Sequence, residues 1–260
     1  MNLPKIANIN PRSIYNKVEE FHTFVEQEEV DLIFMSESWE RHNMTLDQII
    51  DLDNHVIISN VHQRIGKGGR PAIIVNNDKY IVQNLTNTVI NIKWGVEVVW
   101  CLLTPKEMTL DSKIRHIACA AIYSKLGSKH KSDLLDHISE AFNILSAKFL
   151  TGLHFILAGD TNELKLDQIL NLSPSFVQVV TKPTRIDPIT GKEVIIDPII
   201  MTLSPYYQEP QCLPPSILIQ IRMVLHLITE LCYKNLSVLS IIKVSDPHVL
   251  SLLDQSISLV

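Results

Sequence analysis

The chain has 260 residues, 46% hydrophobic and 20% charged, with 8 Gly and 13 Pro. These proportions predict one large globular domain or two small ones and exclude a disordered, collagenous or coiled-coil chain. Lys and Arg number 23 against 28 Asp and Glu, leaving a net charge of −5. Whole-molecule attraction to a polyanion is thereby excluded, and a nucleic-acid ligand requires a local basic patch.

Residues 1–10 hold one Lys and no apolar run, so no secretory signal is expected. In residues 13–29, Ile14, Val18, Phe21 and Val25 form one apolar stripe, predicting a helix with Ser13 as its N-cap. A second stripe, Leu134, Ile138, Ala141 and Leu145, predicts a helix over 132–149, with Gly152 just past its end. Short Val- and Ile-rich runs at 32–35, 56–58, 72–75, 96–103, 117–123 and 153–158 predict strands buried on both faces. Helices separated by several successive strands favour α/β layers with hairpin-connected sheets over a regular doubly wound fold. His116 and His154 are expected as strand residues facing the outer layers.

The four cysteines (Cys101, Cys119, Cys212, Cys232) form no CxxC pair and no zinc spacing. They are expected as scattered, reduced thiols of an intracellular protein, nuclear or cytoplasmic. From Ile217 the sequence is apolar, but Arg222, His226, Glu230 and Lys234 interrupt it, so no membrane-spanning helix is expected and the protein is read as soluble. All eight glycines precede residue 192, and Ile, Leu and Val fill 22 of the 45 positions from Ser216 to Val260. That change of character sets 216–260 apart as an apolar tail of a different kind.

Polar residues gather where the buried runs end: Ser36-Glu37-Ser38-Trp39 after the first, Tyr123 at another, Gly159-Asp160-Thr161-Asn162 after a third, and Asp197 after 194–196. Strand ends of an α/β sheet are where ligands bind, since loops there are held on a rigid scaffold. Acid and amide groups on one rim suit a hard divalent cation such as Mg²⁺. Taken singly, each has a plainer reading: Glu37 as a solvated acid, Asp160 as a cap, Tyr123 as a core-edge aromatic, Asn10 as a turn residue before Pro11. Cationic loops contribute Arg64, Lys67 and Arg70, then Lys125, Lys129, His130 and Lys131, then Lys182 and Arg185. Such loops supply sequence-independent phosphate contacts, although surface loops are commonly charged in any case.

Six segments recur in a familiar order: Asn10-Pro11-Arg12-Ser13, the acidic strand end at Glu37, Arg64-Ile65-Gly66-Lys67-Gly68-Gly69 before 72–75, Gly159-Asp160-Thr161-Asn162, Thr181-Lys182-Pro183-Thr184-Arg185, and Ile196-Asp197. Over about residues 5–215 the chain resembles the endonuclease/exonuclease/phosphatase superfamily, most closely the endonuclease domain of non-LTR (LINE-type) retrotransposons. The resemblance implies a four-layer α/β sandwich, two mixed sheets flanked by helices, over residues 3–205, and Mg²⁺-dependent cleavage of DNA phosphodiester bonds. Carried over, Glu37 and Asn10 are the metal site. Asp160 and Asn162 orient the attacking water and contact the phosphate, and Tyr123 hydrogen-bonds a phosphate oxygen. Asp197 orients a catalytic His, and Arg64, Lys67, Arg70, Lys125, Lys182 and Arg185 contact the substrate. Ser124-Lys125 departs from the Arg-Pro that usually follows this Tyr.

The resemblance also implies a closing Ser-Asp-His strand about 30 residues after Asp197, and none is there. The last catalytic strand is therefore expected to be missing or replaced, and activity impaired, because general acid–base help is typically worth about 10²–10⁴ in rate. A one-base shift of reading frame offers an origin. With permitted third bases, 216–229 becomes Asp-Pro-Asp-Pro-Asp-Lys-Asn-Gly-Ala-Pro-Ser-Asp-His, restoring the motif at the junctions from His226 to Thr229. This is a hypothesis, and the nucleotide sequence refutes it if those third bases differ. Ser245-Asp246-Pro247-His248 is a poor substitute, since Pro in a central strand removes a ladder hydrogen bond. Two other readings stand beside the endonuclease: a catalytically dead remnant that only binds metal or nucleic acid, and a phospholipid or phosphoinositide phosphodiesterase. The chain contains no reverse transcriptase segment.

Overall fold

Runs with no position for an exposed polar side chain become the strands of two stacked sheets. A computed structural model of the chain describes residues 3–40, 44–60, 69–107, 113–186, 191, 193–211 and 220–225, with backbone alone at 186 and 220–225. In chain order these contain β1 (Ile6–Asn10), α1 (Val18–Glu28), β2 (Leu32–Met35), α2 (Leu46–Ile49), β3 (His55–Ser59), β4 (Ala72–Asn76), β5 (Tyr80–Asn84), β6 (Glu97–Pro105) and β7 (His116–Tyr123). There follow α3 (Lys131–Lys148), β8 (Leu153–Asp160), α4 (Asp167–Leu170), β9 (Val177–Gln178), β10 (Arg185–Ile186), β11 (Glu193–Val194), β12 (Ile199–Met201) and β13 (Gln220–Leu225). One sheet has the order β13-β1-β2-β4-β3, the other β5-β6-β7-β8-β12-β9, and β10–β11 form a separate ribbon. Both sheets are mixed: β1 and β2 run parallel, as do β7 and β8, while every other pairing is antiparallel.

Strand periodicity sorts the side chains into layers. Ile6, Leu32, Phe34 and Ile73 of the first sheet meet Cys101, Cys119, Ala121, Ile156 and Ala158 of the second in a central core. The alternate positions Ala7, Ile9, Ile33 and Met35 face α1 and α2 through Phe21, Val25 and Leu46. On the far side, Trp100, Ala120 and Leu157 face α3 through Leu134, Ile138, Ala141 and Leu145. The result is the four-layer α/β sandwich, helix–sheet–sheet–helix. Burying the three large side chains of that α3 face, Leu134, Ile138 and Leu145, contributes roughly 4.5–9 kcal/mol, taking about 1.5–3 kcal/mol each before entropy.

Two sequence expectations change, and a third is narrowed. The predicted helix at 13–29 begins only at Val18, and Ser13 is not its cap: Ser13 has φ 93° and its N–H donates to the Glu37 carbonyl, while Ile14 N–H donates to Ser38. The strand-end loop claims that backbone before helix geometry can start. Cys101 and Cys119 are not scattered: they sit directly opposite one another across β6–β7, both buried and free. Burial pushes the Cys119 thiol well above its ordinary value. The slot beside β1, whose strand the sequence predicts to be missing or replaced, holds a replacement: β13, antiparallel, with Gln220 opposite Asn10 and Leu225 opposite Ile6. The rest of the tail, 226–260, lies outside the described residues, as do Cys212 and Cys232. His116 and His154 are half-buried strand residues bonded to Thr104 and Thr202, and burial lowers both pKa values. No helix among the described residues is long and apolar enough to cross a membrane.

Candidate active site

Parallel pairing carries the C-terminal ends of β1 and β2, and of β7 and β8, to one rim; antiparallel partners bring the starts of β4, β6, β12 and β13 to the same rim. On the inward face of the second sheet, Glu97, Tyr123 and Asp160 stand in one row, because Tyr123 is the register partner of both others. Facing them from the first sheet is Asn10, two residues beyond Asn8 and therefore on the same face of β1.

Asn10 joins the two sheets. Its Nδ2 donates to Glu37 Oε1 at 3.1 Å and to Asp160 Oδ2 at 2.9 Å, while its Oδ1 accepts the Arg12 N–H at 3.1 Å. The second Glu37 oxygen accepts from the Trp39 indole N–H at 3.1 Å. Glu37 is thus held at both oxygens by neutral donors and stays half-exposed, while Asn10 and Asp160 are buried. A carboxylate held by dipoles and not by a cation keeps its charge available to a ligand.

Asp160 is fixed by its chain neighbours as well. Gly159 precedes it at φ +143°, and a Cβ there would lie 1.9 Å from the Ile122 carbonyl oxygen. Only glycine lets β7 and β8 approach this closely at the rim. Ser124 N–H donates to the Asp160 carbonyl at 2.8 Å, and Asn162 Nδ2 donates to the Ser124 carbonyl at 2.8 Å. Asn162, at φ +45°, also donates its peptide N–H to Asp160 Oδ1 at 3.2 Å. Its amide nitrogen therefore ties the two loops together.

Asp197 is almost fully buried immediately before β12. Thr161 N–H reaches the Ile196 carbonyl at 2.7 Å, which docks the Asp197 turn beside Asp160. Thr184 Oγ1 accepts the N–H groups of Ile196 and Asp197 at 3.0 and 3.2 Å. This gives the Thr181–Arg185 segment a physical role: its threonine orients the acid. Of the eight non-glycine residues with positive φ among the described residues, five (Arg12, Ser13, Trp39, Arg70 and Asn162) lie on these rim loops, and strained backbone of this kind is held where a site fixes it.

The cationic residues divide. Lys125, Lys182 and Arg185 are exposed, Lys182 within 3.7 Å of Glu209. Arg70 is only 7% exposed and is not an open loop cation; its carbonyl accepts from Ser38 Oγ and its N–H donates to Glu97 Oε2 at 2.9 Å. Arg64 and Lys67 lie outside the described residues. Sequence reasoning missed Glu97, and it named Trp39 in the strand-end run without assigning it a role. The one readable sign of Glu97 was an acid opening an otherwise apolar strand. Nearby Glu40 is buried, accepts the Leu46 N–H at 2.8 Å, and has its pKa raised by desolvation.

Among the described residues no three acidic, His or Cys side chains gather into a preformed metal cage. Two hard carboxylates, Glu37 and Asp160, bridged by an amide are nevertheless a donor set that fits Mg²⁺, which takes one or two carboxylates and fills its remaining positions with water and phosphate oxygens. The set suits zinc less well, since zinc sites are built mainly on His nitrogen and Cys sulfur.

No protein-family model matches the chain, and no curated protein matches it in sequence. Solved structures do match in fold. The endonuclease domain of the telomere-specific non-LTR retrotransposon TRAS1 superposes with a TM-score of 0.59 at 12% identity, covering 87% of this chain and 99% of that one. An AP endonuclease from Leishmania major gives 0.58 at 13% identity, with 86% of each chain covered. A mannosyl-6-phosphatase from Bacteroides thetaiotaomicron gives 0.55 at 16% identity, covering 87% of this chain and all of that one (100%). The fold is thus that of the endonuclease/exonuclease/phosphatase superfamily, a fold shared by enzymes on nucleic acids and on sugar phosphates.

Proposed function

We propose that the chain is a Mg²⁺-dependent phosphodiesterase of the DNA endonuclease type, derived from a non-LTR retrotransposon, with activity lowered by loss of the Ser-Asp-His strand. The observation that carries this reading is the Asn10 amide bonded at once to Glu37 and Asp160, two carboxylates from different sheets. Glu37, with Asn10 beside it, would hold the ion. Bound Mg²⁺ polarises a phosphoryl oxygen and stabilises the leaving oxygen. Asp160 accepts a proton from, or orients, the attacking water, and Tyr123, its register neighbour, donates to a phosphate oxygen. Exposed Lys125, Lys182 and Arg185 supply backbone contacts to DNA. The Gly-rich turn and the Thr184 segment support the retrotransposon branch over a lipid or sugar phosphodiesterase.

A second reading is a remnant that binds metal or nucleic acid without turnover, and the register of β13 favours it: the rim position opposite Asn10 carries Gln220. Nicking of supercoiled plasmid with Mg²⁺ separates the two. Nicking that disappears in Glu37→Ala supports the endonuclease; folded protein with no nicking above the Glu37→Ala background supports the remnant.

A further inference from the structure

Asn10 presents nitrogen where a cation needs oxygen. Its partners fix which way the amide faces: Glu37 and Asp160 accept from Nδ2 at 3.1 and 2.9 Å, and the Arg12 N–H donates to Oδ1 at 3.1 Å. The partly positive NH₂ group therefore lies against the two carboxylates proposed to hold Mg²⁺. A hard cation binds oxygen, and an amide N–H directed at it is repulsive. For Asn10 to serve a cation there, the amide has to turn its oxygen toward Glu37 and Asp160. Its nitrogen then requires an acceptor of its own. The place now held by Oδ1 does not supply one, because the Arg12 N–H points into it.

An acceptor stands one strand away. The parallel ladder of β1 and β2 pairs Ile9 with Met35, and one further bond continues it, from Ser36 N–H to the Ile9 carbonyl at 3.1 Å. Ser36 is thus the cross-strand neighbour of Asn10. Phe34 packs in the central core and Met35 on the helix side, so Ser36 returns to the inward face that Asn10 shares. It is 1% exposed, and its Oγ is buried with no hydrogen-bond partner. A buried hydroxyl left in that condition calls for an explanation. Asn8 Oδ1 is a second buried, unpartnered acceptor on this face, two residues deeper on β1. That is roughly 6.5 Å along the strand, against roughly 4.8 Å across to Ser36, so Ser36 is the nearer. Arg12 is exposed, so water can take over at its N–H once Oδ1 turns away.

We infer that Ser36 is a positioning residue of the metal site: when a divalent cation binds at Glu37 and Asp160, the Asn10 amide turns its oxygen toward the ion and donates its nitrogen to Ser36 Oγ. The inference rests on the metal-dependent reading and adds two settings of one amide. In one, Nδ2 bridges the carboxylates; in the other, the oxygen faces the cation and Ser36 holds the nitrogen. Ser36 stabilises only the second setting. A hydroxyl of that kind has a signature that a packing role lacks, because its removal weakens cation binding and leaves the chain without cation as stable as before.

The test is a calorimetric Mg²⁺ titration of the full chain, with urea melts in EDTA beside it. Ser36→Ala is expected to weaken Mg²⁺ binding about 10-fold, the lower end of what partners of metal ligands supply, with an EDTA melt no lower than the parent's. Ser36→Thr keeps the hydroxyl and should recover most of the affinity. In ¹⁵N spectra, the Asn10 side-chain NH₂ signal, identified by its loss in Asn10→Ala, should move as Mg²⁺ saturates the parent. Equal Mg²⁺ affinity of Ser36→Ala and the parent overturns this inference alone, as does an Asn10 signal that stays in place at saturation. A Ser36→Ala chain that melts well below the parent in EDTA makes the hydroxyl a packing group and overturns it too. A parent that binds no Mg²⁺ overturns the metal-dependent reading and this inference with it.

Discussion

The two flanks of β1 differ in kind. On one side, through β2 and across to β8, the acidic and amide groups around Asn10 are tied together: Glu37 is held at both oxygens, Asp160 is bonded to the Asn10 amide, and Thr161 ties in the Asp197 turn. On the other side β13 completes the sheet with Gln-Ile-Arg-Met-Val-Leu, and its register puts Gln220 at the rim. Backbone pairing is indifferent to side-chain chemistry, so an apolar segment fills an edge slot without supplying a catalytic group. A fold can therefore be completed by a strand that leaves the chemistry incomplete. The flank proposed to hold a metal and a phosphate is knit together, and the flank proposed to relay a proton is what the comparison calls into question.

The largest expected effect comes from changing β13 itself. Reading residues 216 onward in the frame shifted by one base replaces the strand with one ending in Ser-Asp-His. If Asp197 orients that imidazole, plasmid nicking should rise by about 10²–10⁴. An unchanged rate with folded protein would show that the deficit lies elsewhere on the rim.

Breaking the intact flank should cost stability instead. Gly159→Ala sets a methyl group 1.9 Å from the Ile122 carbonyl at a φ of +143°. Neither backbone can yield without parting β7 from β8, so urea melts should show a loss of about 3 kcal/mol or more. The outer layer carries a pH-dependent counterpart. His137, on the buried face of α3, accepts from the Trp100 indole at 3.2 Å, and its pKa is lowered by desolvation from 6.5 to about 4. The unfolded chain takes up this proton first. The contribution is therefore complete above about pH 6.5 and is lost as the pH falls towards 4, up to about 3 kcal/mol. His137→Leu should flatten that part of the stability profile in melts at successive pH values.

Much of the sandwich is legible in the sequence because its strands are buried on both faces and read as unbroken apolar runs. The runs at 32–35, 72–75 and 117–123 nearly coincide with β2, β4 and β7. β5 escapes notice because it is an edge strand with three of five residues exposed, and β9 to β12 because two or three residues carry no period. At the site, Asn10, Glu37 and Asp160 are readable as polar punctuation after apolar runs, but their mutual bonds are not, since Asn10 and Asp160 lie 150 residues apart. Glu97 is hidden for the opposite reason: it opens an apolar strand, and only pairing with Tyr123 brings it to the rim. Arg70 reads as a loop cation because sequence does not reveal that Ser38 and Glu97 bond its peptide groups and draw it inward.

A subtler change asks whether Asn10 organises the intact flank or merely occupies it. Asn10→Ala removes the donor shared by Glu37 and Asp160 while leaving both carboxylates in place. Groups that orient ligands typically account for about 10- to 100-fold in metal affinity, so Mg²⁺ titration should show a loss of that size with little change in fold. Unaltered affinity would assign the amide to the packing of the two sheets alone.

The smallest expected effect lies farthest from β1. Lys182 is 69% exposed at its side chain and stands 3.7 Å from Glu209, too open for the ion pair to matter to stability. Its value, if the rim binds DNA, is one phosphate contact. Lys182→Ala should then weaken binding to every sequence alike and lower the slope of log affinity against log salt by about 1. That signature separates a phosphate contact from a structural role, because a change in fold would alter affinity without selectively removing one counterion's worth of salt dependence.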